Sequence, residues 1–245
     1  TKRFGAITAV DQANLDVNGG EFLVIVGESG CGKTTTLRLI AGLEQPDSGT
    51  IFIDGASVNS IPVGQRGVQM IFQNFALWPH MKIFDEQHYS NLTLPLRVRR
   101  WSKDKITEFL RPLAWKVGIE ESFFKRKPSE LSGGQQQRIA LGRAMVTSPR
   151  VLLMDEPLSG LDTPAQEGLL NLLDTLRDQK VTIMVATHDL DQAARHFDRI
   201  LLLNHRMIAF DRPQNVLRTD TLLQAYGGRL KIESGGTVVV DDCCP

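Results

Sequence analysis

Residues 27–35 read Gly-Glu-Ser-Gly-Cys-Gly-Lys-Thr-Thr, a glycine-rich turn ending in a lysine and two hydroxyls. The spacing matches the phosphate-loop pattern G-x-x-x-x-G-K-[ST]. It stands where that pattern works, after the apolar run Phe22–Val26 and at the start of the helix-like run Thr34–Ile40. Phosphates need many donors at short range. Glycines let backbone N–H groups turn inward, and a helix N-terminus adds a favourable partial positive charge. On this reading Gly27, Glu28, Ser29, Gly30, Cys31 and Gly32 form the cradle, and Lys33 reaches the β- and γ-phosphates. The Thr34 hydroxyl would take Mg²⁺, and Thr35 would help hold the α-phosphate. A turn that merely capped a helix would not call for Lys-Thr at this offset. Cys31 reads as a small residue on a tight loop rather than a redox centre.

A second constellation is Val151-Leu-Leu-Met-Asp-Glu-Pro157, an apolar strand ending in two adjacent acids. Ligands of parallel sheets bind at the carboxyl ends of strands, so these acids are expected to face phosphates. Asp155 would hold Mg²⁺, directly or through water. Glu156, one residue on, points elsewhere and suits a general base or a group that orients water. The plain alternative is a solvated acidic turn.

The third is Leu131-Ser-Gly-Gly-Gln-Gln-Gln-Arg138. Ser132 as N-cap with Gln135 three residues on would make a capping box. That accounts for the local geometry but not for the double glycine, which offers a second anion site at a helix start. This stretch closely resembles the signature motif of ABC ATPases, and the family's other motifs follow in order. Gln73, after Met70-Ile71-Phe72, looks like the Q-loop glutamine. Ser159-Gly160-Leu161-Asp162 resembles the D-loop, and His188 in Ala186-Thr187-His188-Asp189 resembles the switch histidine. Phe4 sits where the family places an aromatic that stacks on adenine; the alternative is an ordinary core phenylalanine. The resemblance runs from about Lys2 to Gly228.

The resemblance implies an α/β P-loop NTPase core with a mostly parallel sheet, an N-terminal antiparallel β region and an inserted α-helical subdomain. The ATPase domain would cover 1–228, with the helical insert at about 76–146, and 229–245 would form a short tail. It also implies ATP and Mg²⁺ as ligands and hydrolysis by a head-to-tail pair of such chains, a homodimer in the simplest case. Lys33 and Thr34 of one chain grip ATP, while Ser132, Gly133, Gly134 and Gln135 of the other close over the γ-phosphate. Glu156, His188, Gln73 and Lys33 are the implied catalytic set, and Thr34, Gln73 and Asp155 the implied Mg²⁺ set. Transmembrane permease subunits would dock on the helical lobe, along Ala76–Met81 and the helix that follows.

The elements that must position these residues are also legible. Ile51–Asp54, Gly67–Phe72, Val151–Met154 and Val181–Ala186 read as strands, and Gly133–Val146 and Gln166–Gln179 as helices. Strand runs vanish between about Ala76 and Glu130, where Lys103–Val117 looks helical. Ile200–Leu203 and Met207–Phe210 flank a turn at Asn204–Arg206, a hairpin pattern. Alternating strands and helices predict a parallel sheet.

Composition narrows the class further. The 245 residues carry 28 basic and 28 acidic side chains, a balance that speaks against a broadly basic nucleic-acid binder. No apolar run approaches the roughly 20 residues needed to span a bilayer. The expectation is therefore a cytoplasmic protein, peripheral on the inner face of the membrane through its partners. Cys31, Cys243 and Cys244 are too few for a disulfide framework, and the two terminal thiols alone cannot make a tetrahedral metal site. The chain starts at Thr1, which suggests that residues upstream are missing.

Two finer expectations concern kinship. Residues 73–80 and the stretch on to the signature resemble sugar or polyamine importers. Thr187–Ala193, Leu201–Phe210 and Ala225-Tyr226-Gly227-Gly228 look more like manganese/zinc or metal-chelate importers, with Asp162 as a plausible crossover. Glu86-Gln87-His88 departs from the family pattern. The competing reading is a soluble ABC ATPase of DNA repair or translation. Such proteins carry long coiled coils or a second phosphate loop, and this sequence has neither.

Overall fold

The computed structural model describes residues 1–177 and 179–227, together with the backbone of 230–232 and 238–240. In chain order the first elements are β1 (Lys2–Phe4), β2 (Ile7–Val10), β3 (Phe22–Val26), α1 (Lys33–Ala41), β4 (Phe52–Ile53), β5 (Ala56–Ser57) and β6 (Val68–Ile71). Then come α2 (Leu94–Val98), α3 (Lys103–Lys116), α4 (Gly133–Met145), β7 (Val151–Asp155), α5 (Thr163–Arg177) and β8 (Thr182–Thr187). The last are α6 (Leu190–His196), β9 (Arg199–Asn204), β10 (Arg206–Asp211), α7 (Pro213–Val216), α8 (Thr219–Tyr226), β11 (Leu230–Ile232) and β12 (Val238–Val240). The chain divides into two compact units, Thr1–Arg66 with Met184–Pro245, and Gly67–Ile183.

In the first unit, β3 lies parallel to β9, with Leu23 opposite Arg199 and Val26 opposite Leu202. β9 turns back into β10 as an antiparallel hairpin. All five β3 residues are buried, as expected of a strand covered on both faces. The Phe22 ring packs on Phe197 at 4.3 Å. β1 pairs with β2 and β4 with β5, both antiparallel.

Helix α1 shows how local sequence ends an element. Gly42 takes the left-handed conformation open to glycine and donates to Leu39 O at 3.1 Å, while Leu43 N–H returns to Arg38 O at 2.9 Å. Arg66, which is 4 % exposed, brings a charged donor to the same end. Its Nη1 donates to Leu39 O at 3.2 Å and Ile40 O at 3.3 Å, and its Nε to Ile61 O at 2.9 Å. One cation thus closes a helix C-terminus, where the backbone dipole favours positive charge.

In the second unit β6 runs parallel to β7, from Val68 opposite Val151 to Ile71 opposite Met154. β8 begins beside β7, with Thr182 N–H donating to Arg150 O at 3.0 Å. The helical lobe has its own core, which includes Ile83, Leu92, Leu96, Ile106, Leu110, Val117 and Ile139. Regular helix starts later here than the sequence suggests. Residues 72–93 are turns and loops, and α2 opens only at Leu94. Side chains satisfy that irregular backbone. The buried Asn91 amide donates to Trp78 O and Met81 O, and its oxygen accepts from Trp78 N–H. The departing segment Glu86-Gln87-His88 is a turn fastened by Asp85, whose carboxylate accepts the backbone N–H groups of Gln87 and His88. Those bonds hold the Asp85 carboxyl well below the usual carboxylate range.

Replacing Arg66 by Met keeps the length of the side chain and removes its donors. The change is expected to destabilise the fold by about 3 kcal/mol, since several buried carbonyls lose a charged donor at once. Urea unfolding of the two proteins measures this, and a difference under about 1 kcal/mol would contradict the capping role.

Candidate active site

The phosphate loop joins β3 to α1 in the first unit. Its backbone is held against other backbone. A Cβ on Gly27 would collide with the Leu203 carbonyl, and one on Gly32 with the Ala9 carbonyl. Gly27 and Gly32 also have positive φ, 155° and 107°. Glycine is required at both positions for conformation and for space. The β9–β10 hairpin supports the loop from behind, with His205 N–H donating to Cys31 O at 2.8 Å and Asp11 N–H donating to His205 O at 2.6 Å. Cys31 is buried in this packing, and desolvation raises its thiol pKa. That suits the reading of Cys31 as a small filler.

Lys33 opens α1 and is 7 % exposed. Its ammonium donates to Gly27 O at 2.8 Å and Glu28 O at 3.1 Å, so it is folded over the loop that carries it. Glu28 is half-buried, and Ser29, Gly30 and Thr34 are exposed at the loop surface. Thr35 is half-buried beside Thr34. In the same unit His188 is exposed after β8, and the next residue, Asp189, caps α6 by accepting from Gln192 N–H at 2.9 Å. Phe4, on β1, is 47 % exposed and so is not a core side chain.

In the second unit Asp155 is the last residue of β7 and is 8 % exposed. Glu156 follows with φ 48°, the left-handed region. The sequence does not announce this backbone conformation. Gln73 is exposed just beyond β6, in the turn 73–76. The signature segment starts α4 with a capping box: Ser132 Oγ accepts Gln135 N–H at 3.3 Å, and Gln135 Oε1 accepts Ser132 N–H at 3.0 Å. Asp162 caps α5 through Ala165 N–H at 3.0 Å. Gly134 lies close to that helix, where a Cβ would come 3.1 Å from Ala165 Cβ. Two further residues belong to this region, and motif spacing does not reveal them. Gln137, 1 % exposed, donates to the carbonyl of Pro157 beside Glu156. Arg143 donates to the carbonyls of Phe75 and Ala76, shortly after Gln73.

A glycine cradle with a folded-in lysine, and a strand-end acid followed by a twisted glutamate, define a phosphate-handling class of α/β protein. The family follows from comparison. The ABC transporter family model matches residues 10–159, and the chain belongs to that family. It is 46 % identical over 205 residues to the spermidine/putrescine import ATP-binding protein PotA of Treponema pallidum, covering 83 % of this chain and 52 % of that protein. It is 42 % identical over 229 residues to the trehalose/maltose import ATP-binding protein MalK of Thermococcus litoralis, covering 87 % of this chain and 60 % of that protein. The chain therefore spans little more than half the length of these relatives.

Among solved structures, the dimeric cassette MJ0796, titled a bacterial ABC transporter cassette, superposes with a TM-score of 0.73 at 31 % identity, over 84 % of this chain and 90 % of that one. The same cassette is also known in a post-hydrolysis state bound to ADP and Pi, with a TM-score of 0.69 over the same shares. The fold is thus that of ABC cassettes: α/β, with a mostly parallel sheet, an antiparallel β region and helices. The likeness of the C-terminal part to metal importers finds no support among these relatives, and Cys243 and Cys244 lie outside the described residues.

Gly32→Ala tests the close packing of the loop. The added methyl meets the Ala9 carbonyl, so the loop must shift away from its present course. MgATP affinity measured by calorimetry is expected to fall by about tenfold or more, ~1.4 kcal/mol. Unchanged affinity would mean that the loop geometry does not set nucleotide binding.

Proposed function

We propose that this chain is the ATP-binding and ATP-hydrolysing subunit of an ABC importer. The observation that carries the reading is the phosphate loop: glycines packed on carbonyls, with a buried Lys33 ammonium resting on the loop's own carbonyl oxygens. An anion seated there would replace those carbonyls as the partners of Lys33, and the N–H groups at the start of α1 would add donors. Phe4, exposed on β1, offers a ring face to the adenine.

Roles then follow from chemistry. Thr34, Gln73 and Asp155 supply hydroxyl, amide and carboxylate oxygens, the hard donor set that suits Mg²⁺. Mg²⁺ so held would neutralise phosphate charge. Glu156 takes the proton of the attacking water or orients that water, and His188 contacts the γ-phosphate. Lys33 stabilises charge on the transferred group. One chain has a single Lys-Thr but two glycine-led helix starts. The signature segment is therefore assigned to a second copy's nucleotide, with Ser132, Gly133, Gly134 and Gln135 closing over the γ-phosphate in a head-to-tail dimer. The dimeric form of the MJ0796 cassette supports this arrangement.

Import is supported by the printed functions of the PotA and MalK relatives. No helix among the described residues is long and apolar enough to cross a membrane, and on this reading permease subunits pass the substrate. The chain would then sit on the cytoplasmic face of the membrane, held by those subunits and driven between open and closed pairs by ATP binding and hydrolysis.

Glu156→Gln separates binding from chemistry. The variant is expected to bind ATP with parent affinity, to lose turnover by about two to four powers of ten, and to accumulate as a dimer on size exclusion with ATP. Hydrolysis at the parent rate would remove Glu156 from its role. For the transport half, affinity purification from a native membrane extract should recover integral membrane subunits. Recovery of ribosomes or DNA in their place would overturn import.

A further inference from the structure

Just after Gln73 the backbone takes a path that side-chain-bearing residues resist. Phe75 and Ala76 have φ of 58° and 46°, where Cβ crowds the following carbonyl. Neither is glycine, so surrounding contacts must hold the turn. The bonds from Phe75 N–H to Phe72 O at 2.8 Å and from Ala76 N–H to Asn74 O at 2.7 Å are internal to it. The external anchor is Arg143. Its Nη1 donates to Ala76 O at 2.7 Å, its Nη2 donates to Phe75 O at 2.9 Å, and its guanidinium lies 4.7 Å from the centre of the Trp78 ring. This uses what distinguishes arginine from lysine, a planar fork of donors that also stacks. Asn91 also holds Trp78, through both of its backbone groups.

The position of Arg143 in the fold gives the contact a meaning beyond packing. It stands on α4, the helix that begins with the signature segment. From Gln135 to Arg143 that helix rises about 12 Å. The same helix reaches the carbonyl of Pro157, beside Glu156, through Gln137. One helix thus begins with the glycine-led start and touches two further segments, the turn after Asp155 and Glu156 and the loop after Gln73.

We propose that Arg143 is a positioning residue for hydrolysis, which ties the loop carrying Gln73 to the signature helix so that the two move as one body. The inference rests on the reading of Gln73 as a group that contacts Mg²⁺ and attacking water. The guanidinium bonds of Arg143 go to backbone carbonyls. It acts through the backbone of residues 75 and 76.

The test is a double-mutant cycle on the 245-residue chain. Steady-state ATP hydrolysis and calorimetric ATP binding are measured for Arg143→Met, Arg143→Lys, Gln73→Ala and Arg143→Met with Gln73→Ala. Arg143→Met is expected to lower kcat about a hundredfold while KM and the Kd for ATP stay within about threefold, the pattern of a displaced group rather than a damaged binding site. Arg143→Lys should recover part of the loss. On the Gln73→Ala background Arg143→Met should cost less than about threefold more, because the two changes remove the same effect. If Arg143→Met does not fold, as judged by its thermal melt, the same comparisons are made with Arg143→Lys. Equal losses on both backgrounds, or an unchanged kcat, would overturn the proposal, and so would a loss confined to ATP binding. Gln73→Ala turning over at the parent rate would remove the role of Gln73 and this inference with it. A damaged Gln73→Ala beside a fully active Arg143→Met would remove the inference alone.

Discussion

Backbone pressed against backbone is the constraint from which the nucleotide-binding unit is built. At Gly27 the phosphate loop passes so close to the Leu203 carbonyl that no side chain fits between them, and at Gly32 it does the same against Ala9. Leu203 lies in β9 and Ala9 in β2, so two strands remote in sequence form the wall of the loop. The hydrogen bonds through His205 close that wall. A loop held this way has its backbone course fixed by packing, which lowers the ordering cost that a mobile loop would incur on binding. It also explains the company the loop keeps. The strand before it, Phe22–Val26, is apolar throughout, because a rigid floor needs burial on both faces.

What could be read in advance was whatever carries a local signal. The loop announced itself by spacing. The strands β3, β7 and β8 were visible as apolar runs bounded by turn residues, and the β9–β10 hairpin as two runs around a short polar turn. The capping box at Ser132 and Gln135 formed as its residue types required. Phe4 was open to two readings, and its exposure removes the core one.

The features that could not be read depend on long-range bonds from side chains to backbone, which leave no period in the sequence. Arg66 closes a helix that ended 25 residues earlier, by its bond to Ala41's neighbour Ile40. The sequence places a helical insert from about residue 76, yet up to residue 93 the backbone is irregular, with Asn91 bonded to both backbone groups of Trp78. The left-handed turns at Phe75, Ala76 and Glu156 are of the same kind. Ordinary residue types adopt rare conformations there because the surroundings impose them, and composition gives no hint of it.

The double glycine of the signature segment shows how one short stretch meets two demands. Its capping box already engages the side chains of Ser132 and Gln135 with each other's backbone. What the first turn can still present to an anion is mainly backbone N–H, and Gly133 and Gly134 leave that approach uncovered. The same glycines let α5 come close. At position 134 a Cβ would lie 3.1 Å from Ala165 Cβ, and at 133 it would meet Leu161 Cδ2 at 3.7 Å. Leu161 belongs to the turn before α5 that Asp162 caps. Small size at these two positions leaves the backbone N–H groups of the first turn uncovered, as the proposed anion contact needs, and lets the turn after the paired acids seat against the helix. A larger residue at 134 would disturb both at once, which is why a purely structural account of this segment and a purely functional one each describe half of it.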